Sequence, residues 1–515
     1  MLAPAHAGNE EAAADRRRFA WAVTVIFMAL TAPRLLAHEL WRDEAWQWLV
    51  VLESRSLGEL FDGMSRGGGS GYLFPLLCYL LRQVWTSPRA MQLAHLLVAG
   101  AAAFAFARWA PLGRRERALF VFGYFPFYEY AVISRSYALG ALLLWLSCLA
   151  ARRRGRPLAF GAALGLLCQT TVYGMILAAA VATGWLVDRW QRRHELPPLS
   201  RLALAGGLFF AGAGAIAGLV QLDQAPGTKV QPWRFVWHPV VAQQVSTSPW
   251  RAFVPLLPPE VTFWNRNLLD PWPLVHATAG LSILVLAIVL LRRSKVALAV
   301  FAVGAAGLLA FGYTFLPGSM RHVGHLWLLF AAALWLGGGT VVLGDRRSWR
   351  ARVVLGLLVI QCAAAGLASW VDLRHPFSNG AATAELVRRE GLDRYPLFGH
   401  REPPAATVAL YLGRPLYSPS RKVFVTHPDW GPRQRELAEP EVRCAARELA
   451  RNEGRDVVLV INRALPPWEE LDSAGATSGA IQPSEDYHLY RLRLGRLPAT
   501  AATAGCPGEL LADGG

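Results

Sequence analysis

The chain has 515 residues, 54% hydrophobic and 17% charged, well below the roughly one quarter charged residues of an ordinary soluble domain. This balance excludes a disordered chain and a nucleic-acid-binding domain, and apolar runs of roughly 17 to 21 residues recur between residues 19 and 371, enough to cross about 30 Å of hydrocarbon. The net charge of +16 is confined to that region: residues 1–371 hold 34 Lys and Arg against 17 Asp and Glu, whereas residues 372–515 hold 18 against 19.

The excess basic residues cluster between apolar runs, at Arg16 to Arg18, Arg152 to Arg156, Arg189 to Arg193, Arg292 to Lys295 and Arg346 to Arg352. This is the pattern left by orientation with positive loops in the cytoplasm, so the basic balance reports topology and not a polyanionic partner. Residues 1–18 then form a cytoplasmic N-terminus, and the run at 19–37 reads as a retained first helix because no small-residue cleavage site follows it.

Further segments that span or enter the bilayer fall at 71–86, 90–109, 118–133, 137–151, 158–169, 171–187, 201–221, 273–291, 296–316, 323–343 and 352–371. The expected fold is a polytopic α-helical membrane protein with about 11 to 13 transmembrane segments, its membrane domain covering residues 19–371 with outer loops at 38–70 and 222–271. Several segments between 118 and 187 are short, and short or broken segments at membrane depth survive only when buried in protein or lining a wet cavity. Arg114 to Arg117 should be cytoplasmic, which demands an odd number of crossings between residues 71 and 113, yet hydropathy offers two segments there.

After residue 371 the pattern changes to mixed charge and Pro clusters. Strand-like pieces at 395–399, 422–426, 456–461 and 487–494 alternate with helix-like ones at 381–390 and 440–452, predicting a small C-terminal soluble α/β domain over 372–497, outside the cytoplasm. The Ala-, Gly- and Thr-rich tail 498–515 reads as disordered. The six Cys are scattered with no paired spacing, which indicates neither a disulfide framework nor a zinc site, although Cys444 and Cys506 could pair in an oxidising compartment. The chain carries no internal repeat and no phosphate-binding glycine loop.

Four polar constellations carry chemical potential. Arg42, Asp43 and Glu44 stand just beyond the first helix beside Trp41 and Trp46; Asp43 suits a general base with Glu44 as its partner, while the same acids also suit the first turn of a helix beginning there. Arg66 to Tyr72 is a glycine-rich approach to the second segment, able to admit an anion or simply to turn the chain. Arg135, within Ser134 to Tyr137, lies between two apolar half-segments and needs either Glu129 or a ligand phosphate. Arg321, His322 and His325 sit at the outer end of a helix, where 321 and 325 share a face that suits an anionic head group or an interfacial set. His322 and His325 lack a third metal ligand nearby, and Gln169, Thr170, Thr171 and Tyr173 interrupt an apolar run, either lining a cavity or bonding helices together.

In their order, the Asp43–Glu44 pair after the first helix, the glycine-rich approach to the second segment, the Ser134-Arg135-x-Tyr137-Ala138-Leu139 stretch and the Gln169 to Tyr173 break resemble the GT-C superfamily of membrane glycosyltransferases, which includes protein O-mannosyltransferases and lipid A aminoarabinose transferases. The resemblance covers about residues 15–370. The chain departs from the commoner relatives in having Gly71-Tyr72-Leu73-Phe74-Pro75 where they carry a His-Pro-Pro or Lys-Pro-Pro run, and it is closer to a little-studied bacterial branch.

The resemblance implies transfer of a sugar from a polyprenyl-phosphate donor to a lipid, glycan or protein acceptor of the cell envelope, at the outer face of the bacterial cytoplasmic membrane. Partners would be the donor, that unknown acceptor and the lipid bilayer, with no nucleic acid. Asp43 would be catalytic, and Arg42, Glu44, Arg135, Tyr137, Arg321, His322 and His325 would bind substrate. No bound metal or other cofactor is implied, beyond weak assistance from a divalent cation. The rival classes are a transporter or flippase for lipid-linked glycans and a catalytically inactive scaffold; a transporter should carry midplane charges in two matching halves, which this sequence lacks.

Overall fold

The computed structural model describes residues 4–65, 71–153, 156–195, 199–222, 233–345, 347–428, 430 and 436–498. The chain divides into two compact units, Met1–Ala37 with Gly69–Asp223 and Gln231–Val371, and His38–Gly68 with Gln224–Val230 and Asp372–Gly515.

The first unit is a helical assembly. Among the described residues, seven helices are long and apolar enough to cross a membrane: Ala13–Ala37, Pro88–Trp109, Val172–Gln191, Arg201–Gln221, Pro273–Leu291, Lys295–Thr314 and Trp349–Asp372. Leu73–Arg82, Tyr137–Arg152 and Pro157–Cys168 are shorter apolar helices, and Met320–Leu336 is a largely buried helix of 17 residues. This is a multi-pass membrane architecture.

Pairing of the first helices accounts for the crossing parity. The Gln92 side chain donates to the Leu35 carbonyl at 2.9 Å, joining the start of Pro88–Trp109 to the end of the first helix. At the opposite ends Arg114 pairs with Asp15 and Arg117 lies over the Phe19 ring. The two helices therefore run antiparallel and return the chain to its starting side. Leu73–Arg82, with ten residues, covers only about 15 Å, so a single crossing lies between 71 and 113. Its entry is tied to the Gln169–Thr170 break: Gly71 and Leu73 N–H donate to the carbonyls of Thr170 and Gln169 at 3.1 and 3.3 Å. A Cβ on Gly71 would stand 2.1 Å from the Gln169 carbonyl oxygen, so only glycine allows this approach.

The segment expected as one span at 118–133 is broken. Helix Arg114–Val121 gives way to a π-helical turn over Tyr124–Glu129 and one short turn to Val132, after which the chain is irregular until Tyr137. Every residue from Tyr128 to Ala138 is buried, as irregular backbone at this depth requires.

The second unit is an α/β domain. Strands β1 (Leu397–Gly399), β2 (Leu416–Ser418), β3 (Val423–Val425), β4 (Val457–Ile461), β5 (Leu471–Thr477) and β6 (Tyr487–Leu492) form a sheet in the order β3-β2-β1-β4-β6-β5. β1 is parallel to β2 and β4, and the other pairs are antiparallel. Alternation in β4 divides its side chains between two cores: Val458 and Val460 pack with Val387 and Val408 from helices Gly380–Arg389 and Glu402–Leu412, whereas Val457, Leu459 and Ile461 pack with Val442, Ala446 and Leu449 from Glu439–Glu453. The four strands and two helices expected here are present, and β2, β5 and Glu402–Leu412 join them.

The first outer loop differs from expectation in its allegiance. Residues 38–65 belong to the same compact unit as the C-terminal domain. Arg42 N–H donates to the Glu485 carboxylate at 2.9 Å, Arg42 Nη1 to Ser484 at 3.1 Å, and Leu40 N–H to the Tyr411 hydroxyl at 3.0 Å. Short-range hydropathy cannot see partners more than 370 positions away. The glycine-rich stretch 66–70 and the tail 499–515 lie outside the described residues.

Candidate functional site

In the second unit, Arg42–Glu53 is a helix that gives its two leading acids different surroundings. Glu44, 0% exposed, turns back to accept from Trp41 N–H at 3.3 Å, the reciprocal half of a capping box, and from His38 Nε2 at 3.1 Å. Asp43, one position earlier, keeps its side chain 14% exposed, with the Arg42 guanidinium 3.9 Å away. Glu44 thus secures the helix start, as the capping reading expects, and Asp43 is the carboxylate that solvent reaches.

Behind them lies a titratable cluster. His38 is fully buried, with the Asp372 carboxylate 3.7 Å from Nδ1; burial opposes its charge, but Glu44 and Asp372 outweigh it and hold the imidazole up to about 10. Glu485 is pushed up to about 7 by burial, against the hydrogen bond from Arg42 N–H, with the Asp43 charge adding to the rise. Burial likewise raises Glu39 to about 6. Glu485 carries no sequence signal, since its partner Arg42 lies in another region of the chain.

In the first unit, the Arg321 group sits at the start of helix Met320–Leu336. Asn265, in the left-handed region at φ 63°, accepts from Met320 N–H through Oδ1 at 2.9 Å. His322 Nδ1 takes the Ser319 N–H at 3.3 Å, so the neutral ring carries its proton on Nε2. His325 Nδ1 faces the His322 carbonyl at 2.9 Å; a carbonyl only accepts, so His325 is protonated on Nδ1 and offers Nε2 as an acceptor.

Tyrosines from three elements wall this pair. Tyr173 stacks on both rings, with centroids 5.1 Å from His322 and 4.6 Å from His325. Tyr137 meets His325 edge-on at 5.6 Å, and the Tyr130 hydroxyl donates to the Arg321 carbonyl at 2.7 Å. Arg135 is buried and interacts electrostatically with His322. Arg135, Tyr137, Arg321, His322 and His325, picked out from two stretches of sequence, therefore converge. Tyr173 joins them from the polar break, whose Gln169 bonds helices together through the Gly214 carbonyl at 2.6 Å.

Glu129, the alternative partner for Arg135, is engaged elsewhere: it accepts from Tyr124 at 2.8 Å and from Trp264 Nε1 at 3.1 and 3.2 Å. The Arg321 guanidinium lies over the same indole, 5.5 Å from its centroid. Trp264 thus links a buried carboxylate to a cation, and nothing in its local sequence announces it. The aromatic density of Tyr124 to Tyr130 was the available signal for the other half of this wall. Among the described residues no three His, Cys, Asp or Glu side chains gather as a metal site requires.

No family model matches the sequence, and no curated protein matches it. Among solved structures, the chain is similar to ArnT from Cupriavidus metallidurans. For the form bound to undecaprenyl phosphate, identity is 14% and the TM-score 0.46, covering 90% of this chain and 97% of that one. For the apo form identity is 14% and the TM-score 0.48, covering 92% and 98%.

The His38 cluster sets a pH dependence. A histidine raised in the folded state stabilises it fully below its unfolded value of about 6.5 and loses that contribution as pH rises through about 10. Glu485 and Glu39, being raised acids, act below about pH 7, so alkaline titration isolates His38. The unfolding midpoint of the second unit, followed by tryptophan fluorescence, should fall between pH 7 and 10 and flatten in His38→Gln; a wild-type midpoint constant over that range would refute the pairing.

Proposed function

We propose that the protein is a membrane glycosyltransferase that moves a sugar from a polyprenyl-phosphate donor to a cell-envelope acceptor on the outer side of the bacterial cytoplasmic membrane. The observation that carries this reading is the convergence of Arg135, Arg321, His322 and His325 within a tyrosine wall in the membrane unit. A cation as buried as Arg135 is costly in a membrane protein and marks a functional site. Two guanidiniums beside the Nε2–H of a neutral His322 suit a phosphate held at a greasy boundary.

In the reaction, the acceptor hydroxyl attacks the anomeric carbon, the bond from that carbon to the donor phosphate oxygen breaks, and the polyprenyl phosphate leaves with the bonding electrons. Asp43 takes the acceptor's proton, a role its exposure supports and the burial of Glu44 does not. Glu44 orients through His38 and the helix start. Arg135 and Arg321 stabilise charge that grows on the leaving phosphate, so they contribute more in the transition state than in the ground state. Arg42, anchored through its backbone to Glu485, steadies Asp43.

The outward placement of residues 372–515 is supported by the basic loop preceding the last span and by Cys444, which is disulfide-bonded, as oxidising compartments favour. Cys506, which could pair with it by sequence, lies outside the described residues.

Lipid and glycan profiles of a deletion strain complemented with variants test the reaction. Asp43→Asn keeps shape but accepts no proton, and product should fall by about 100-fold or more; wild-type product levels would remove Asp43 as the base. Arg135→Lys keeps charge and loses the planar fork, so turnover should drop further than binding of polyprenyl phosphate to the purified protein; equal losses would make Arg135 a ground-state contact only. A reporter active only outside the cytoplasm, fused after Asp372, should be active, and an inactive fusion would overturn the orientation.

A further inference from the structure

Between helices Pro239–Phe253 and Pro273–Leu291 the chain runs through an irregular loop, residues 254–272, to which the transfer reaction gives no task. The loop is closed on itself and on the helices that flank it. Leu268 N–H donates to the Leu256 carbonyl at 2.9 Å, Arg251 Nη2 to Asp270 Oδ1 at 2.5 Å, and His276 Nδ1 lies 3.3 Å from that same oxygen. Asp270 also accepts from Asn267 N–H at 2.7 Å. A loop locked by such bonds can hold a neighbouring group in place.

At its tip is the turn Phe263–Arg266, closed by Arg266 N–H on the Phe263 carbonyl at 3.1 Å. Asn265 takes the third position of that turn at φ 63°, a backbone region that asparagine tolerates better than most side chains. Its carbonyl accepts from Arg251 Nη1 at 3.3 Å. Its side-chain Oδ1 accepts from Met320 N–H at 2.9 Å, the first amide of the helix that carries Arg321, His322 and His325. Trp264, next to it and 4% exposed, acts one residue further along that helix. Its Nε1–H donates to both oxygens of Glu129, at 3.2 and 3.1 Å, which fixes the plane of the indole, and the Arg321 guanidinium rests on that ring, 5.5 Å from its centroid. The carboxylate at the indole's edge also attracts the cation on its face.

We propose that Trp264 and Asn265 are positioning residues: one turn of the loop sets where the Arg321 helix begins and where the Arg321 guanidinium lies, and so aims that cation at the leaving phosphate. The inference rests on the proposed reading of the Arg135–Arg321 group as the phosphate site, and neither residue is asked to touch the substrate. Asparagine meets two demands at once, since it accepts the left-handed backbone and its short side chain reaches an amide that a helix start leaves without an intrahelical acceptor. Glycine would keep the turn and lose the cap. At Trp264, phenylalanine would keep a face for the cation and lose the bonds to Glu129, whereas leucine would lose both. Misplacing a catalytic group by about 1 Å can cost on the order of 100-fold in rate, so a loop that never meets the substrate can still govern turnover.

Binding of farnesyl phosphate, a short polyprenyl phosphate, to the full-length protein in nanodiscs tests this, with the phosphorus NMR shift of the bound ligand followed through its second ionisation, at about pH 6 in free phosphate esters. A guanidinium beside the phosphate favours the dianion and lowers that midpoint, whereas partial unfolding reduces the amount bound without moving the midpoint of what remains. In Asn265→Gly and Trp264→Leu affinity should fall about tenfold and the midpoint should rise toward that of the free ligand, as in Arg321→Ala, while Trp264→Phe should keep more of both. If Trp264→Leu does not fold, Asn265→Gly, at a half-buried turn position whose backbone glycine accepts, decides the matter alone. A midpoint raised in Arg321→Ala but unchanged in Asn265→Gly would overturn the inference and leave the phosphate site standing. No binding to the wild type, or an unchanged midpoint in Arg321→Ala, would overturn the phosphate site and the inference with it.

Discussion

Within hydrocarbon every polar backbone group and every charge must find its partner inside the protein, and the interior of the membrane unit is organised by that constraint. The break from Phe122 to Ser136 satisfies it by burial: Glu129 sinks among Tyr124 and Trp264, and Tyr130 reaches the carbonyl of Arg321. Arg34 meets the same demand within the first helix, donating to Thr31, Ser369 and the Phe127 carbonyl and lying over the Phe127 ring. Aromatic residues serve here as partners for charge as much as for apolar packing, because each ring has a face for a cation and, in tyrosine or tryptophan, an edge that donates.

The same economy separates rigid from accessible chemistry in the second unit. Glu44 is consumed by its own helix start and by His38, while Asp43 faces outward. Two consecutive acids therefore differ in their surroundings because a helix turns successive side chains by about 100°. Glu485, brought in by the α/β domain, holds the backbone of Arg42, so the position of the loop acids depends on a domain that begins more than three hundred residues later.

What could be read in the sequence follows the range of its signals. Runs of apolar residues marked the long helices, and a short apolar run at Val457–Ile461 and a strand-like mixture at Tyr487–Leu492 marked the central strands. A single Arg or His in an apolar run marked Arg135, Arg321 and His325, because such a residue is costly wherever it lands. Trp264, Asp270, His276 and Glu485 were not legible: a tryptophan, an acid or a histidine in a loop or at a helix start is unremarkable until its distant partner is known. The membership of residues 38–65 in the C-terminal unit was hidden for the same reason. β2 and β5 escaped because β2 is only three residues long and β5, Leu471–Thr477, is interrupted by a bulge at Ser473 and Gly475.

The junction between Gly71 and the Gln169–Thr170 break bears on how the chain is made. Two amide donors at the entry of the short Leu73–Arg82 helix meet their carbonyl acceptors almost a hundred residues downstream. At about 5–20 residues per second, the ribosome delivers those acceptors on the order of 5 to 20 s after the donors. During that interval the helix is too short to span the bilayer and its leading amides lack their final acceptors, so water or the insertion machinery must hold them. Placement of this segment is thus a late event in biogenesis, completed only when the Pro157–Cys168 helix has entered and its C-terminal turn presents the waiting carbonyls.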